Sequence, residues 1–149
     1  KGVVLPPKVA QTQAVIVPII FDKTKDAVLG ECRALYEALK EDGIRVVFDE
    51  RDEHTSGWKF NDWELKGVPL RIELGPKDLE KKQVMLVHRH SGKKHPVSLD
   101  NLADVVHKEL DQIQKEMYHK AKLHLDSSIT QVNTKEQFTV NPFKTIPYY

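Results

Sequence analysis

The chain has 149 residues, of which 40% are hydrophobic and 30% are charged, and its formal net charge is +1. This length and balance are typical of one globular domain, or of one domain with a tail, that can bury a core. No run of about 18 apolar residues is present and the first residues lack the regions of a signal peptide, so we expect a cytoplasmic protein without a membrane partner. The single cysteine, Cys32, excludes an internal disulfide and a cysteine-based zinc site.

Basic residues are concentrated in the middle of the chain. Residues 59–94 contain nine Lys and Arg residues against five Asp and Glu residues, whereas the rest of the chain contains 14 basic and 17 acidic residues. The net charge alone predicts no strong steering toward nucleic acid. The local basic excess nevertheless overlaps a cluster of aromatic residues, Trp58, Phe60 and Trp63, and core packing alone does not require such a mixture.

The first half of the chain predicts a strand, a helix and a second strand. LPP at residues 5–7 is a stiff, extended lead-in. AVIVPII at residues 14–20 is rich in β-branched residues, which is typical of a strand covered on both faces. Apolar residues recur at helical spacing over residues 26–42, with Gly43 just past the end, and IRVVFDE at residues 44–50 predicts the next strand. Together these segments predict a βαβ unit, in which the two strands are parallel.

The second half predicts a short helix, two strands and a long helix. A helix over residues 57–66 is followed by PLRIELG at residues 69–75, in which polar and apolar residues alternate as they do in a strand. VMLVHRH at residues 84–90 is a further strand that leads into a hairpin turn, and an amphipathic helix runs from Ser98 or shortly after to about residue 122. The order β-α-β-α-β-β-α therefore predicts a mixed sheet with helices on its faces.

Several residues capable of chemistry have ordinary structural explanations. No glycine-rich phosphate-binding loop is present, and Cys32 lies on the apolar face of its helix, where burial makes a thiol inert. His88, His90 and His95 do not predict a metal site, because two ligands on one strand face are too few and a third would have to come from across a turn. We expect them to be exposed strand histidines near a basic patch.

Two carboxylates and the aromatic residues of the short helix remain to be explained. Glu64 and Asp78 could serve as a catalytic acid and base, or they could simply be solvated. Helical spacing puts Phe60, Trp63 and Glu64 on one face and predicts that Trp58 and Leu65 point into the core; a core position for both Phe60 and Trp63 stays open. Carboxylates, Lys or Arg, and aromatic faces are the groups that read single-stranded bases.

The motifs in this region resemble a known family. DERDEHTSGWKFNDWELKGVPLRIELGPKDLEKKQVMLVHRHSGKK strongly resembles the C-terminal anticodon-binding domain of prolyl-tRNA synthetases, class II aminoacyl-tRNA synthetases of the archaeal and eukaryotic type. GVVLPPKVAQTQAVIVPI resembles the segment that joins the catalytic domain to this domain. The resemblance implies an α/β fold with a mixed, mostly parallel five-stranded sheet and helices on both faces.

The resemblance also implies a division of the chain. Residues 1–12 would be a linker from a catalytic domain that this chain lacks, and residues 13–123 would form the anticodon-binding domain. No period is sustained after Leu125, so residues 124–149 predict an irregular tail or the remnant of an appended C-terminal domain. The cysteines of the family's zinc-bearing C-terminal domain are absent, although NPFKTIPYY ends in tyrosine as relatives often do.

The resemblance implies that one surface reads the two guanines at the second and third positions of the proline anticodon. A carboxylate can accept both N–H donors of the Watson–Crick edge of guanine, and Arg or Lys can donate to its O6 and N7. The implied anticodon-binding residues are Phe60, Glu64, Arg71, Lys77, Asp78 and Lys93. The candidates for phosphate contacts are Lys59, Lys81, Lys82, Arg89 and Lys94.

The implied partners are tRNA(Pro) and the catalytic domain of a parent enzyme that is a homodimer and uses ATP and Mg²⁺. No catalytic residue, cofactor or metal is expected in this chain, and no activity is expected of it alone. Two alternatives stay open at this point. One is a freestanding protein-interaction or regulatory module that kept the fold. The other is a small α/β hydrolase-like enzyme that uses Glu64 and Asp78.

Overall fold

The computed structural model of the chain describes residues 2–131 and 133–136, and these form five strands and four α-helices. The strands are β1 (Ala14–Pro18), β2 (Val46–Phe48), β3 (Leu70–Leu74), β4 (Gln83–His88) and β5 (Lys94–Ser98). The helices are α1 (Lys25–Glu41), α2 (Ser56–Leu65), α3 (Pro76–Glu80) and α4 (Leu102–Ser128), with a 3-10 turn at Asp22–Thr24.

The five strands form one mixed sheet in the order β2-β1-β3-β4-β5. β1 is parallel to β2 and to β3, whereas β4 is antiparallel to both β3 and β5. Four strands therefore run in one direction and β4 runs against them, which confirms the mixed sheet and the parallel βαβ unit. The residue pattern alone predicts neither β5 nor α3. β5 is an edge strand whose five residues are mostly polar and include Pro96, so no strand pattern is visible. α3 has only five residues, which is too short to show a helical period.

Helices cover both faces of the sheet, as the resemblance implies. All five residues of β1 are buried. On the first face, Val15 and Val17 form a core cluster with Val68, and Phe60 and Trp63 of α2 pack against it. The side chains that alternate with Val15 and Val17 along the strand point to the second face. α4 lies on that face, where its Glu109 contacts His88 of β4. A right-handed crossover places α1 on the second face as well, because β2 and β3 lie on opposite sides of β1.

The N-terminal segment is attached to the end of α2. The Val3 amide donates to the carbonyl of Leu65 at 3.3 Å, and the Leu5 amide donates to the carbonyl of Gly67 at the same distance. Further along, the Arg45 guanidinium donates to the carbonyls of Pro7, Lys8 and Ala10. The lead-in is therefore held against the sheet domain by its backbone. That residues 1–12 act as a linker stays a prediction.

The chain divides into two compact units, Lys1–Gln114 and Lys115–Tyr149. In the second unit α4 continues to Ser128, beyond the predicted end near residue 122. Side-chain contacts support this last part, since Lys122 pairs with Asp126 and both Ser127 and Ser128 donate their hydroxyls to the His124 carbonyl. Residues 137–149 of the predicted tail lie outside the described residues. Within the described part of the chain, none of the helices has the length and apolar character needed to cross a membrane.

Candidate nucleic-acid interface

A buried aspartate fixes the position of α2. Thr55 caps the helix by accepting a hydrogen bond from the Trp58 amide. Asp49, which follows β2 and is 3% exposed, accepts hydrogen bonds from the Arg51 guanidinium at 2.8 and 2.6 Å and from the Trp63 indole at 2.7 Å. The same guanidinium donates to Asp62 at 2.9 Å. The two carboxylates and Arg51 therefore tie the middle of α2 to the end of β2.

Hydrogen bonds keep Asp49 charged despite its burial. Burial alone would raise the pKa of the Asp49 carboxyl, but the donors from Arg51 and Trp63 outweigh it and lower the pKa from 3.8 to about 2. The pKa of the Asp62 carboxyl is also lowered, chiefly by its hydrogen bond with Lys66. Both groups are consequently ionised at neutral pH, which maintains their attraction for Arg51.

Lys59 belongs to this anchor and not to a phosphate-binding surface. Its side chain is buried, and its ammonium donates to the carbonyl of Asp49 at 3.2 Å. This burial contradicts the prediction that Lys59 contacts phosphate. Trp58 and Leu65, which were predicted to point into the core, are 44% and 60% exposed. The prediction was wrong because α2 turns Lys59 toward the sheet, and a salt-bridged lysine is not counted in an apolar pattern.

Arg71 of β3 brings together three of the predicted anticodon-binding residues. Its Nη1 donates to Oε1 of Glu64 at 2.9 Å, and its guanidinium carbon lies 4.4 Å from the centre of the Phe60 ring. The Glu64 side chain is 46% exposed, whereas that of Arg71 is 13% exposed. The guanidinium therefore lies over the ring and holds the carboxylate at the surface.

Glu73 is a member of this site that the sequence analysis did not select. It lies two residues after Arg71 on the same strand face, its side chain is 2% exposed, and Oε1 accepts from the Arg71 Nε at 3.0 Å. Its other oxygen accepts from the Lys94 ammonium at 2.5 Å. The spacing of Arg71 and Glu73 could have indicated the pair. Because Lys94 already contacts Glu73, only part of its donor capacity faces solvent.

A cleft of about 300 Å³ lies beside this cluster and is lined by Glu64, Arg71, Arg89 and the turn after β4, among others. Arg89 is positioned by backbone contacts. Its Nε donates to the Glu64 carbonyl at 3.0 Å, and its Nη2 donates to the carbonyl of Gly2 at 3.4 Å. Arg89 thus holds the last turn of α2 next to the cleft, so its guanidinium is already engaged before any phosphate arrives.

The other predicted base-contacting residues form a second group at the start of α3. Asp78 accepts from the Gly75 amide and from the Gln83 side chain, both at 3.2 Å, and the neighbouring Lys77 is exposed. This group lies roughly 13 Å along the chain from Arg71, since the four residues from Arg71 to Gly75 rise about 3.3 Å each in extended backbone. It is therefore separate from the cleft. Three more predicted lysines are exposed at the surface, namely Lys81, Lys82 and Lys93.

The sequence predicts exposed histidines on β4 and β5, but His88 is buried and His95 is only partly exposed. His88 is 1% exposed, and its Nε2 contacts a carboxylate oxygen of Glu109 in α4 at 2.5 Å. His95 Nε2 contacts the other oxygen at 3.2 Å. Burial lowers the pKa of His88, although Glu109 opposes that shift.

The prediction for Cys32 is confirmed, because it is buried and its pKa is raised to about 12, chiefly by that burial.

The mixed five-stranded sheet and its charged surface define a small α/β binding domain. Residues 13–109 match a family model that is described as an anticodon binding domain. That match covers well over half of the chain, and the chain belongs to this family.

Three relatives extend the match beyond the family model. The proline–tRNA ligase of Natranaerobius thermophilus is 48% identical over 128 residues, which is 86% of this chain. The cytoplasmic proline–tRNA ligase of Arabidopsis thaliana is 44% identical over 93% of the chain, and the proline–tRNA ligase of Cenarchaeum symbiosum is 47% identical over 87%. The chain spans 26% to 27% of the length of these three relatives.

Proposed function

We propose that this chain is the anticodon-binding domain of a proline–tRNA ligase, and that it selects tRNA(Pro) by binding the two guanines of the proline anticodon. The family match and the names of the similar proteins support the type of domain. The observation that carries the choice of surface is the position of Arg71, which lies over the Phe60 ring and holds the Glu64 carboxylate at the rim of a cleft.

The first guanine is assigned to the group around Arg71. A carboxylate can accept the N1–H and N2–H of guanine together, and no other base offers that pair of donors on its Watson–Crick edge. Glu64 is nearly half exposed, so it can accept these bonds while Arg71 keeps it oriented. Phe60 lies beneath the guanidinium and supports its plane, and a base entering the cleft meets Arg71 and Glu64, which both line it.

The second guanine is assigned to Lys77 and Asp78. They supply a donor and an acceptor just beyond the end of β3, roughly 13 Å from Arg71. That separation is larger than the spacing of two stacked bases, so the proposal requires the anticodon bases to be splayed apart, which is how single-stranded loops are commonly read. Asp78 already accepts two hydrogen bonds, and a carboxylate has lone pairs for about four.

Phosphate contacts are assigned to the exposed lysines. These are Lys81 and Lys82, which follow α3. Lys93, in the turn between β4 and β5, keeps its predicted place among the anticodon-binding residues. Lys59 is removed from the phosphate-contacting set because it is buried. Arg89 and Lys94 each donate to a protein oxygen, and their remaining N–H groups are assigned to phosphate. Flexible lysines at the edge of a base-reading surface supply affinity that does not depend on sequence.

The remaining partners belong to the parent enzyme. We propose that a catalytic domain N-terminal to this chain binds ATP and Mg²⁺ and attaches proline, that the parent enzyme is a homodimer, and that it acts in the cytoplasm. The name of the Arabidopsis relative supports that location. The hydrolase-like alternative requires Glu64 and Asp78 to face one enclosed pocket, whereas Asp78 caps α3 away from the cleft. The regulatory-module alternative has no specific observation in its favour.

Substitution of Glu64 tests the proposal directly. Binding is measured to an anticodon stem-loop that carries GG and to the same loop that carries AA. Glu64→Ala should reduce the preference for GG by about 10-fold or more, since a good base contact is worth on the order of 1–3 kcal/mol. It should weaken binding to the AA loop much less, because Glu64 repels phosphates and adenine lacks the pair of donors that Glu64 accepts.

Glu80→Ala is the matched control. It removes the same charge from the exposed last residue of α3, so the change in net charge is identical. Its preference for GG should equal that of the unmodified chain. An equal loss of binding on both loops in Glu64→Ala, or a preference unchanged by it, would contradict a base-reading role.

A further inference from the structure

Three side chains from three different elements meet on the second face of the sheet. His95 of β5 pairs with Leu86 of β4, so it points to the same side as Leu86 and as His88 two residues further on. Glu109 projects onto them from α4, next to Leu110 on the buried side of that helix. This face is opposite to the one that carries Arg71, so the cluster is separate from the proposed base-reading surface.

The polar atoms of these side chains converge on one point. Each imidazole directs its Nε2 at a different oxygen of the same carboxylate, at 2.5 Å for His88 and 3.2 Å for His95. One ligand atom from each residue lies within 4.8 Å of the corresponding atoms of the other two. The side chains of His88, Glu109 and His95 are 1%, 14% and 23% exposed, so the cluster is sheltered but can be reached from the His95 side.

We propose that His88, His95 and Glu109 form a binding site for a divalent transition-metal ion, with Zn²⁺ as the best fit. Imidazole nitrogen and carboxylate oxygen are both zinc ligands, at about 2.0–2.2 Å. Two histidines and a glutamate make a three-residue set that leaves a fourth position for water. Mg²⁺ and Ca²⁺ prefer oxygen-only sites, which two imidazoles do not provide.

The metal-free contacts are compatible with replacement of a proton by a metal. In neutral imidazoles that donate to Glu109, the proton is on Nε2, and a metal ion needs the lone pair at that position. The Nδ1 atoms of His88 and His95 have no hydrogen-bond partner among the described residues. Since the tautomer is set by what the other nitrogen contacts, Glu109 is the one group in the described part of the chain that holds the proton on Nε2. Metal binding therefore requires each ring to move its proton to Nδ1, for which the described residues offer no acceptor.

Electrostatics also favour a dication. In the state that binds metal both imidazoles must be neutral, so the three ligands carry one charge of −1, and a bound Zn²⁺ changes this to +1. The ion would link the β4–β5 hairpin to α4, which also contacts the N-terminal half of the domain through hydrogen bonds of His107 and Gln114. We therefore expect the metal to stabilise the hairpin and leave the preference for guanine unchanged.

The test is a titration of the full 149-residue chain with ZnCl₂ after treatment with a chelator. We expect one saturable equivalent of zinc and a higher midpoint of thermal unfolding. Glu109→Gln and His95→Asn should each weaken binding at least about 100-fold, since even partners outside the ligand set contribute 10- to 100-fold. His107→Asn is the control, because it removes an exposed histidine of the same helix that pairs with Asp42.

A measurement without any substitution guards against variants that fail to fold. The ring ¹⁵N chemical shifts of His88 and His95 should report Nδ1–H tautomers with coordinated Nε2 when one equivalent of zinc is present. Retention of wild-type affinity in Glu109→Gln or His95→Asn would overturn the proposal. So would the absence of a saturable equivalent, or ring shifts of both histidines that do not respond to zinc.

Discussion

Among the single residues, Arg71 combines contacts that no other side chain could make. Its planar guanidinium donates to Glu64 and Glu73 in two directions and lies 4.4 Å from the Phe60 ring centre. A lysine at this position would be a point charge without the fork geometry or the flat face. The site therefore depends on the shape of the guanidinium as well as on its charge, and the contacts of Arg71 are made before any ligand binds.

Asp49 is the residue whose charge matters most for the position of α2. Its pKa is about 2 in the folded protein and near 3.8 in an unfolded chain, so its ionised form stabilises the fold at pH above about 4. That contribution, about 2 kcal/mol by linkage, should disappear as the pH falls from about 4 through about 2. Asp49→Asn should therefore lower the free energy of unfolding at pH 6 and have a much smaller effect at pH 2.

Urea denaturation of the unmodified chain and of Asp49→Asn at several pH values measures this difference. The unmodified chain is the reference at each pH, so the destabilisation that acid causes elsewhere in the fold cancels. If the loss in Asp49→Asn were the same at pH 6 and at pH 2, shape and hydrogen bonding, and not charge, would be the contribution of this residue.

Among the helices and strands, the close approach of the lead-in to the end of α2 depends on a glycine. Gly67 has φ of +75°, and a Cβ atom there would lie 2.8 Å from the Val3 carbonyl oxygen. Backbone in that region is strained for other residues, and the neighbouring backbone leaves no space for a side chain. The residue thus both ends α2 and lets the N-terminal segment lie against it.

Gly43 provides a matched comparison for a substitution at Gly67. It has φ of +82° at the end of α1, but nothing lies within 4 Å of the position that a Cβ would occupy. Gly43→Ala should lower the free energy of unfolding by about 1–2 kcal/mol through strain alone. Gly67→Ala should lower it further, because it also displaces Val3. Urea denaturation measures both, and equal losses would mean that the lead-in contributes nothing to stability.

In the molecule as a whole, the two faces of the sheet have different tasks. The face with α2 carries the charged groups of the proposed interface, and the opposite face carries the buried His88 and the apolar residues beneath α4. The net charge of +1 gives no long-range attraction for RNA, so affinity must come from local lysines. Binding should consequently be sensitive to salt in proportion to the number of those lysines that reach phosphates.

Replacement of Lys81 and Lys82 tests that expectation. Lys81→Gln combined with Lys82→Asn should weaken binding to the GG and AA loops equally and make the slope of log K against log salt shallower by about 1.4, since each contact with single-stranded RNA contributes about 0.7. Asparagine is chosen because Lys82 has φ of +49°, which asparagine tolerates. Lys40→Gln, on α1, should leave the slope unchanged. A change in base preference would contradict a phosphate role.

Local sequence patterns were enough to predict most of the elements, and a family resemblance supplied the type of domain. The β-branched run of β1, the apolar spacing of α1 and α4 and the GWKFNDWELKGVPLR motif each depend on neighbours within one segment. The edge strand β5 was not predicted because it contains a proline and only one residue typical of strands, Val97, so the pattern shows no period. Residue pattern therefore predicted the first four strands of the sheet but not the fifth.

Which charged residues are buried, and what they contact, could be known only from the assembled fold. Lys59 appears in the sequence as one more surface lysine, yet it is buried against Asp49, a residue ten positions earlier. His88 and His95 lack a third partner until α4 folds over them and contributes Glu109. Such contacts join residues that are distant along the chain, and their free energy depends on desolvation and partner geometry, which exist only once the sheet and helices have come together.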